Sequence, residues 1–143
     1  MKYTVHFDKD REEEVIIYAH APSPLTEEIL RLCKSDVPDL IGYLEEEACR
    51  LDIRNVCCFC VEENKVWAHT VQEKYRIKRR LYQLEEAFPE DFVKINQSCL
   101  ANVRRIRKFG TSFGGSLTVT FENGHRDYVS RRNVKTIKER FGL

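Results

Sequence analysis

The sequence predicts a mainly β fold with small helices, of the α+β class: a multi-sheet β domain preceded by a short β-β-α extension. Three observations carry this reading. Apolar and polar residues alternate in short runs such as Leu117, Val119 and Phe121, the period of a half-buried strand. Asn123-Gly124 lies between two such runs and is the strongest short hairpin signal a sequence offers. Stretches with helical spacing are few and short, and they are punctuated by proline at APSP (21–24), Pro38 and Pro89.

A chain of 143 residues is long enough for one domain with a real core, or for one domain plus a small appendage. With 42% hydrophobic and 33% charged residues it reads as a folded, globular protein. No run of 18 apolar residues occurs, and the opening MKYTVHFDKDREEE lacks the apolar centre of a signal peptide, so a cytoplasmic protein is expected. The net charge of +1 hides an asymmetry. Residues 1–71 hold 8 Lys/Arg against 15 Asp/Glu (−7), whereas residues 72–143 hold 16 against 8 (+8). Such a split points to a polyanion as partner of the basic half.

In the acidic half, Tyr3, Val5 and Phe7 alternate with polar residues, and Val15 to Tyr18 form an apolar run. Two strands joined by a charged loop are expected there. Thr26 is placed to cap a helix with Glu27 and Glu28 in its first turn and Ile29, Leu30, Leu32 and Cys33 along one face, ended by Pro38. A β-β-α unit of this size is too small to stand alone, so residues 1–38 read as an extension whose apolar helix face packs on the rest of the chain or on a second copy. The boundary falls in SDVPD, 35–39. Strands are then expected at Leu40 to Leu44, Ala48 to Leu51, Val56 to Val61 and Lys65 to Thr70, with turns at Asp52 to Asn55 and Glu62-Glu63-Asn64.

In the basic half a short strand through Tyr75 and Ile77 leads into a helix over roughly 79–88. Phe92, Val93 and Ile95 mark a strand, Asn96-Gln97-Ser98 a polar turn, Cys99 to Val103 a buried segment and Arg104 to Phe109 another strand. Thr111 to Gly115 is a turn rich in glycine. After the hairpin, Ser130 can cap a last helix with Val134, Ile137 and Phe141 on its apolar stripe. Residues 92–109 and 116–134 therefore set Lys94, Asn96, Gln97, Arg104, Arg105, Arg107, Lys108, Arg131 and Arg132 at strand edges and turns of a rigid scaffold. Arg131 and Arg132 oppose the dipole of the last helix, but a phosphate bound there would be held by the free amides and the arginines together.

Cys57 and Cys60 have the C-x-x-C spacing of a zinc half-site or a redox couple, yet in an extended strand they point to opposite faces and no second half-site follows. The six cysteines are read as reduced thiols, those at 57–60 as core residues, and no cofactor or metal is expected. His6, His20, His69 and His125 stand singly, without a nucleophile-base pattern, so an enzyme is not expected.

The segment from about 39 to 143 resembles the LytTR DNA-binding domain of bacterial transcription regulators. The resemblance rests on Phe92, Lys94, Ser98, Asn102 and Ile106, followed by Phe121, Asn123, Gly124, Val129, Ser130, Arg131, Arg132, Ile137 and Lys138. It implies a β core that places loops, not a recognition helix, into successive major grooves of double-stranded DNA. By position the DNA-facing loops would be Glu62 to Lys65 with Asn64 reading, Lys94 to Ser98 with Gln97 reading, and Ser130 to Asn133 with Arg132 reading. Lys94 stands where the family has arginine, which keeps the charge without the planar fork. Residues 1–38 cannot hold a phosphorylatable receiver, so a small receiver-free regulator is implied, acting as a homodimer or with a regulatory membrane protein. The competing reading is a protein-interaction or sensor module that makes no contact with DNA.

Overall fold

The computed structural model describes residues 1–33, 40–111 and 114–143. The chain divides into two compact units, Met1–Val37 and Pro38–Leu143. In the first unit the regular element is helix α1 (Pro24–Cys33). Its cap is Ser23 rather than the expected Thr26: the Thr26 N–H donates to Ser23 Oγ (3.2 Å) and the Ser23 N–H donates back to Thr26 Oγ1 (2.9 Å). This reciprocal pair puts Pro24 at the first helical position, where its missing N–H costs nothing. The two strands expected over Tyr3 to Phe7 and Val15 to Tyr18 do not form, and their apolar side chains are exposed. A lone two-stranded ribbon is marginal in water without a third strand or a helix to cover it. The expected helix stop at Pro38 and the boundary at 35–39 lie outside the described residues.

The second unit is built from ten strands and two helices. In chain order these are β1 (Leu40–Leu44), β2 (Glu47–Leu51), β3 (Val56–Glu62), β4 (Lys65–Thr70), β5 (Lys74–Ile77), α2 (Leu81–Ala87), β6 (Phe92–Asn96), β7 (Cys99–Asn102), β8 (Ile106–Thr111), β9 (Leu117–Phe121), β10 (Arg126–Tyr128) and α3 (Arg131–Phe141). Seven strands form an antiparallel sheet in the order β2-β1-β5-β4-β3-β7-β6, and three form a second in the order β10-β9-β8. The expected turn over Asp52 to Asn55 contains a 3-10 turn at Ile53–Asn55, capped by Asp52. Of the glycine-rich turn between β8 and β9, residues 112 and 113 lie outside the described residues. None of the described helices is long and apolar enough to cross a membrane.

β3 is central to the large sheet and buried on both faces, as its unbroken apolar run requires. Phe59 turns toward a core shared with Leu84 and Phe88 of the α2 segment and with Phe92, whose ring lies 4.8 Å from its own. Cys58 and Cys60 belong to a second core with Ile95, Cys99, Val119, Phe121, Val129 and Ile137. A register shift between Val56 and Cys58 interrupts alternation at the start of β3, and Cys57 packs in this second core too, not on the face opposite Cys60 as expected. Asn102, at the end of β7, is buried and donates to the Val56 carbonyl (2.8 Å), satisfying backbone that the register shift leaves unpaired.

Gly42 in β1 marks a close approach: a Cβ there would lie 2.5 Å from Leu51 Cδ1 and 2.7 Å from Tyr75 Cβ. Leu51 can turn aside but a Cβ cannot, so Gly42→Ala should lower stability by about 1–3 kcal/mol, the usual cost of overpacking. The check is a urea melt, in which the midpoint falls while the slope is unchanged.

Candidate nucleic-acid interface

Three turns meet at one end of the large sheet because of the order in which its strands pair. β3 and β4 are joined by Glu63 and Asn64, both with positive φ (51° and 64°), the backbone of a tight two-residue hairpin. β3 also pairs with β7, and the Val61 N–H donates to the Ser98 carbonyl (2.9 Å), so the turn Gln97-Ser98 stands beside the first. The third segment, Ser130–Asn133, is fastened to the same end. The Ser130 N–H donates to the Ile95 carbonyl (2.8 Å), and Asn133 Nδ2 donates to it as well (3.3 Å).

The side chains divide into those offered to solvent and those spent on the scaffold. Asn64, Lys65, Lys94, Gln97, Ser98, Arg131 and Arg132 are exposed. The two acids nearest the turns are engaged: Glu62 pairs with Lys74, and Asp127 accepts from Asn96 Nδ2 (3.0 Å). The cations at this end therefore keep their positive field, with Glu63 as an exposed carboxylate among them.

Five sequence-derived site residues are placed differently from expectation. Asn96 is 2% exposed; its amide donates to Asp127 Oδ1 and the Tyr128 carbonyl (2.8 Å) and its oxygen accepts from the Ser98 N–H (2.8 Å), so it shapes the turn and cannot read a base. Asn133 is half-buried, bonded to Ile95 and to Ser130 Oγ (2.6 Å). Ser130 occupies the N-cap position of α3, but its hydroxyl accepts from Asn133 and makes no cap bond to the helix backbone. Arg104 and Arg105 follow the far end of β7, one strand length or roughly 13 Å from the Gln97-Ser98 turn. Arg105 donates to the Arg54 carbonyl (2.8 Å), to Glu122 (2.8 Å) and to Asn55 (3.3 Å). It clamps the small sheet to the 3-10 turn.

Directly beneath the turns lies a cluster able to hold a metal. Cys60 Sγ is 3.5 Å from the sulfurs of Cys58 and Cys99 and 3.8 Å from His125 Nε2, and the rings of His69 and His125 lie tilted at 45° with centroids 4.7 Å apart. Contacts with Cys58 and Cys99 draw the Cys60 thiol below its ordinary range, while the contact with Cys60 pushes Cys58 up. Burial lowers His69; the contact with Cys60 raises His125. Sequence reading missed this cluster because it tested Cys57 with Cys60. The informative spacing is Cys58 with Cys60, two apart on one face of a strand.

These features define a β-scaffolded domain that presents two hairpin turns and the first turn of α3 at one end, with exposed lysines and arginines. Comparison with known proteins fixes the family. The LytTr DNA-binding domain model matches residues 46–142, and the chain belongs to that family. An uncharacterized HTH-type transcriptional regulator of Staphylococcus aureus strain MSSA476 is 32% identical over 96% of both chains. Another from strain NCTC 8325 is 34% identical over 73% of this chain and 71% of its own. Among solved structures, a LytTr DNA-binding domain from Bacillus cereus superposes with a TM-score of 0.68 at 17% identity, covering 73% of this chain and 97% of that one. Those relatives carry a helix-turn-helix name, yet among the described residues of this chain no two helices are consecutive: five strands separate α2 from α3.

Asn96→Ala should cost about 1–3 kcal/mol of stability, since it removes three hydrogen bonds made by a buried amide, whereas Gln97→Ala should leave stability within about 0.5 kcal/mol. Thermal and urea melts of the two variants check the division between scaffold and surface.

Proposed function

We propose that this chain is a sequence-specific, DNA-binding transcription regulator that sets three turns of its β scaffold into successive major grooves. The observation that carries the proposal is the convergence of Glu63-Asn64, Gln97-Ser98 and Arg131-Arg132 at one end of the fold, each turn with solvent-facing donors. Membership of the LytTR family supports it.

The chemistry assigns roles. Asn64 and Gln97 present amides suited to the N6/N7 edge of adenine, and Arg132 a fork suited to the O6/N7 edge of guanine. Glu63 can accept from a cytosine amino group, which gives its carboxylate a place in a positive surface. Lys65, Lys94 and Arg131 are point or forked cations for phosphates, and Ser98 offers a hydroxyl to either. At the start of α3, free amides add to Arg131 as a phosphate cradle. Arg104 and Arg105 are left out of this surface because they stand at the other end of β7. A second copy of the chain, joined through Tyr3, Val5, Phe7, Val15, Ile16 and Tyr18, would place two such surfaces on repeated half-sites. A regulatory membrane protein is the competing occupant of that apolar surface.

Selection of bound sequences from a random duplex pool supplies the operator, and fluorescence anisotropy then measures the variants. Arg132→Ala should lose about 1–3 kcal/mol of discrimination at one base pair. Lys94→Ala should weaken all sequences alike and reduce the salt slope by about one. Lys108→Ala, on β8, should change neither. Equal binding of the wild-type chain to all sequences would contradict the proposal. In sedimentation, Tyr3→Ser with Phe7→Ser should shift the chain from dimer toward monomer.

A further inference from the structure

Four thiols and two imidazoles meet in the second core, and DNA binding as proposed uses none of them. Cys57, Cys58, Cys60 and Cys99 are all buried without a disulfide, and His69 and His125 close the cluster from β4 and from the turn before β10. The donor atoms of Cys58, Cys60 and Cys99 lie within 4.8 Å of one another, as do those of Cys58, His69 and His125. A tetrahedral zinc site with bonds of about 2.3 Å to sulfur separates its sulfurs by roughly 3.8 Å. The Cys60 sulfur already stands 3.5 Å from two others and 3.8 Å from an imidazole nitrogen, so the set needs little movement to close on an ion.

A second observation points to a ligand. His69 is buried, and its Nε2 lies 3.2 Å from Glu62 Oε1 but makes no hydrogen bond. Buried polar atoms without a hydrogen bond are rare, and an ion position beside them is one of their recognised causes. Three sulfurs and an imidazole exclude calcium and magnesium, which take oxygen, and select a thiophilic ion.

We propose that Cys58, Cys60 and Cys99, with one imidazole of the His69–His125 pair, form a zinc site between the two sheets. On binding, each coordinating thiol gives up its proton to solvent and the imidazole binds as the neutral ring. The ion changes no oxidation state. It ties β3 and β7 to β4 through His69, or to the turn before β10 through His125, immediately under the three DNA-facing turns. Cys60 precedes Glu62 by two residues, Cys99 follows Ser98, and His125 precedes Asp127, which holds Asn96. Its role is to fix the spacing of those turns.

The test uses the full chain, expressed with zinc in the medium and purified reduced and without chelator. Elemental analysis should find about one zinc per chain. Cobalt added to metal-free protein should give the near-ultraviolet thiolate charge-transfer band and the intense visible bands of a tetrahedral site, with tighter metal binding raising the melting temperature. Cys60→Ser should lower zinc retention at least tenfold, while Cys33→Ser with Cys49→Ser, which removes the more accessible thiols, should leave it unchanged. Less than a tenth of an equivalent of zinc and no cobalt–thiolate band in the wild-type chain would overturn the proposal. So would retention of zinc by a folded Cys60→Ser variant, or loss of zinc in the Cys33/Cys49 variant instead, which would identify an adventitious ion only. Should Cys60→Ser fail to fold by circular dichroism, the wild-type cobalt spectrum decides by itself. None of these readouts depends on DNA binding.

Discussion

The Gln97-Ser98 turn and its distance from the small sheet depend on the buried amide of Asn96. It is the last residue of β6, and its side chain spans the gap to the small sheet by donating to Asp127 and to the Tyr128 carbonyl. Its remaining oxygen holds the Ser98 N–H, so one side chain sets both the form of the Gln97-Ser98 turn and its distance from β10. Bonds of this kind are worth little net in stability but are costly to leave half made, which is why they specify geometry. The backbone bond from Ser130 to Ile95 then seats α3 against the same strand.

From that constraint the division of labour follows. A reading surface needs side chains that are free to bond DNA yet do not wander, and short turns between paired strands supply both. α3 contributes its first turn only: Ile137 is buried in the second core, and Phe109 and Phe141 pack edge to face with centroids 4.9 Å apart. The helix is thereby held by its middle and its end while Arg131 and Arg132 stay in solvent. The helix-turn-helix name of the relatives describes a geometry different from this one, in which two hairpin turns and the start of α3 lie at the same end of the large sheet.

Most of the fold was legible because its signals are local. An unbroken apolar run located β3, alternation located β9, and Asn123-Gly124 located the hairpin, where Gly124 takes φ 86°. The N-terminal strands were misread since alternation states that a segment can pair, not that a partner exists. At the candidate site, Asn64, Gln97, Arg131 and Arg132 stand exposed, where charge and hydrogen-bonding capacity agree with the proposed surface. Asn96, Asn133 and Arg105 were not separable from them in sequence, because the same amide or guanidinium serves a scaffold or a ligand according to which segment folds over it. The thiol and imidazole cluster draws on three strands and a turn, and only the pairing of Cys58 with His69 and of Cys60 with Cys99 reveals it.

The central claim is that three turns of one rigid scaffold enter successive major grooves. Methylation protection at guanine N7, a major-groove atom, tests it most directly on the selected operator. The account predicts protected guanines in separate clusters spaced by about one helical turn, roughly 10 base pairs, on one face of the duplex. Protection confined to a single major-groove segment, or none at N7 with binding intact, would contradict it.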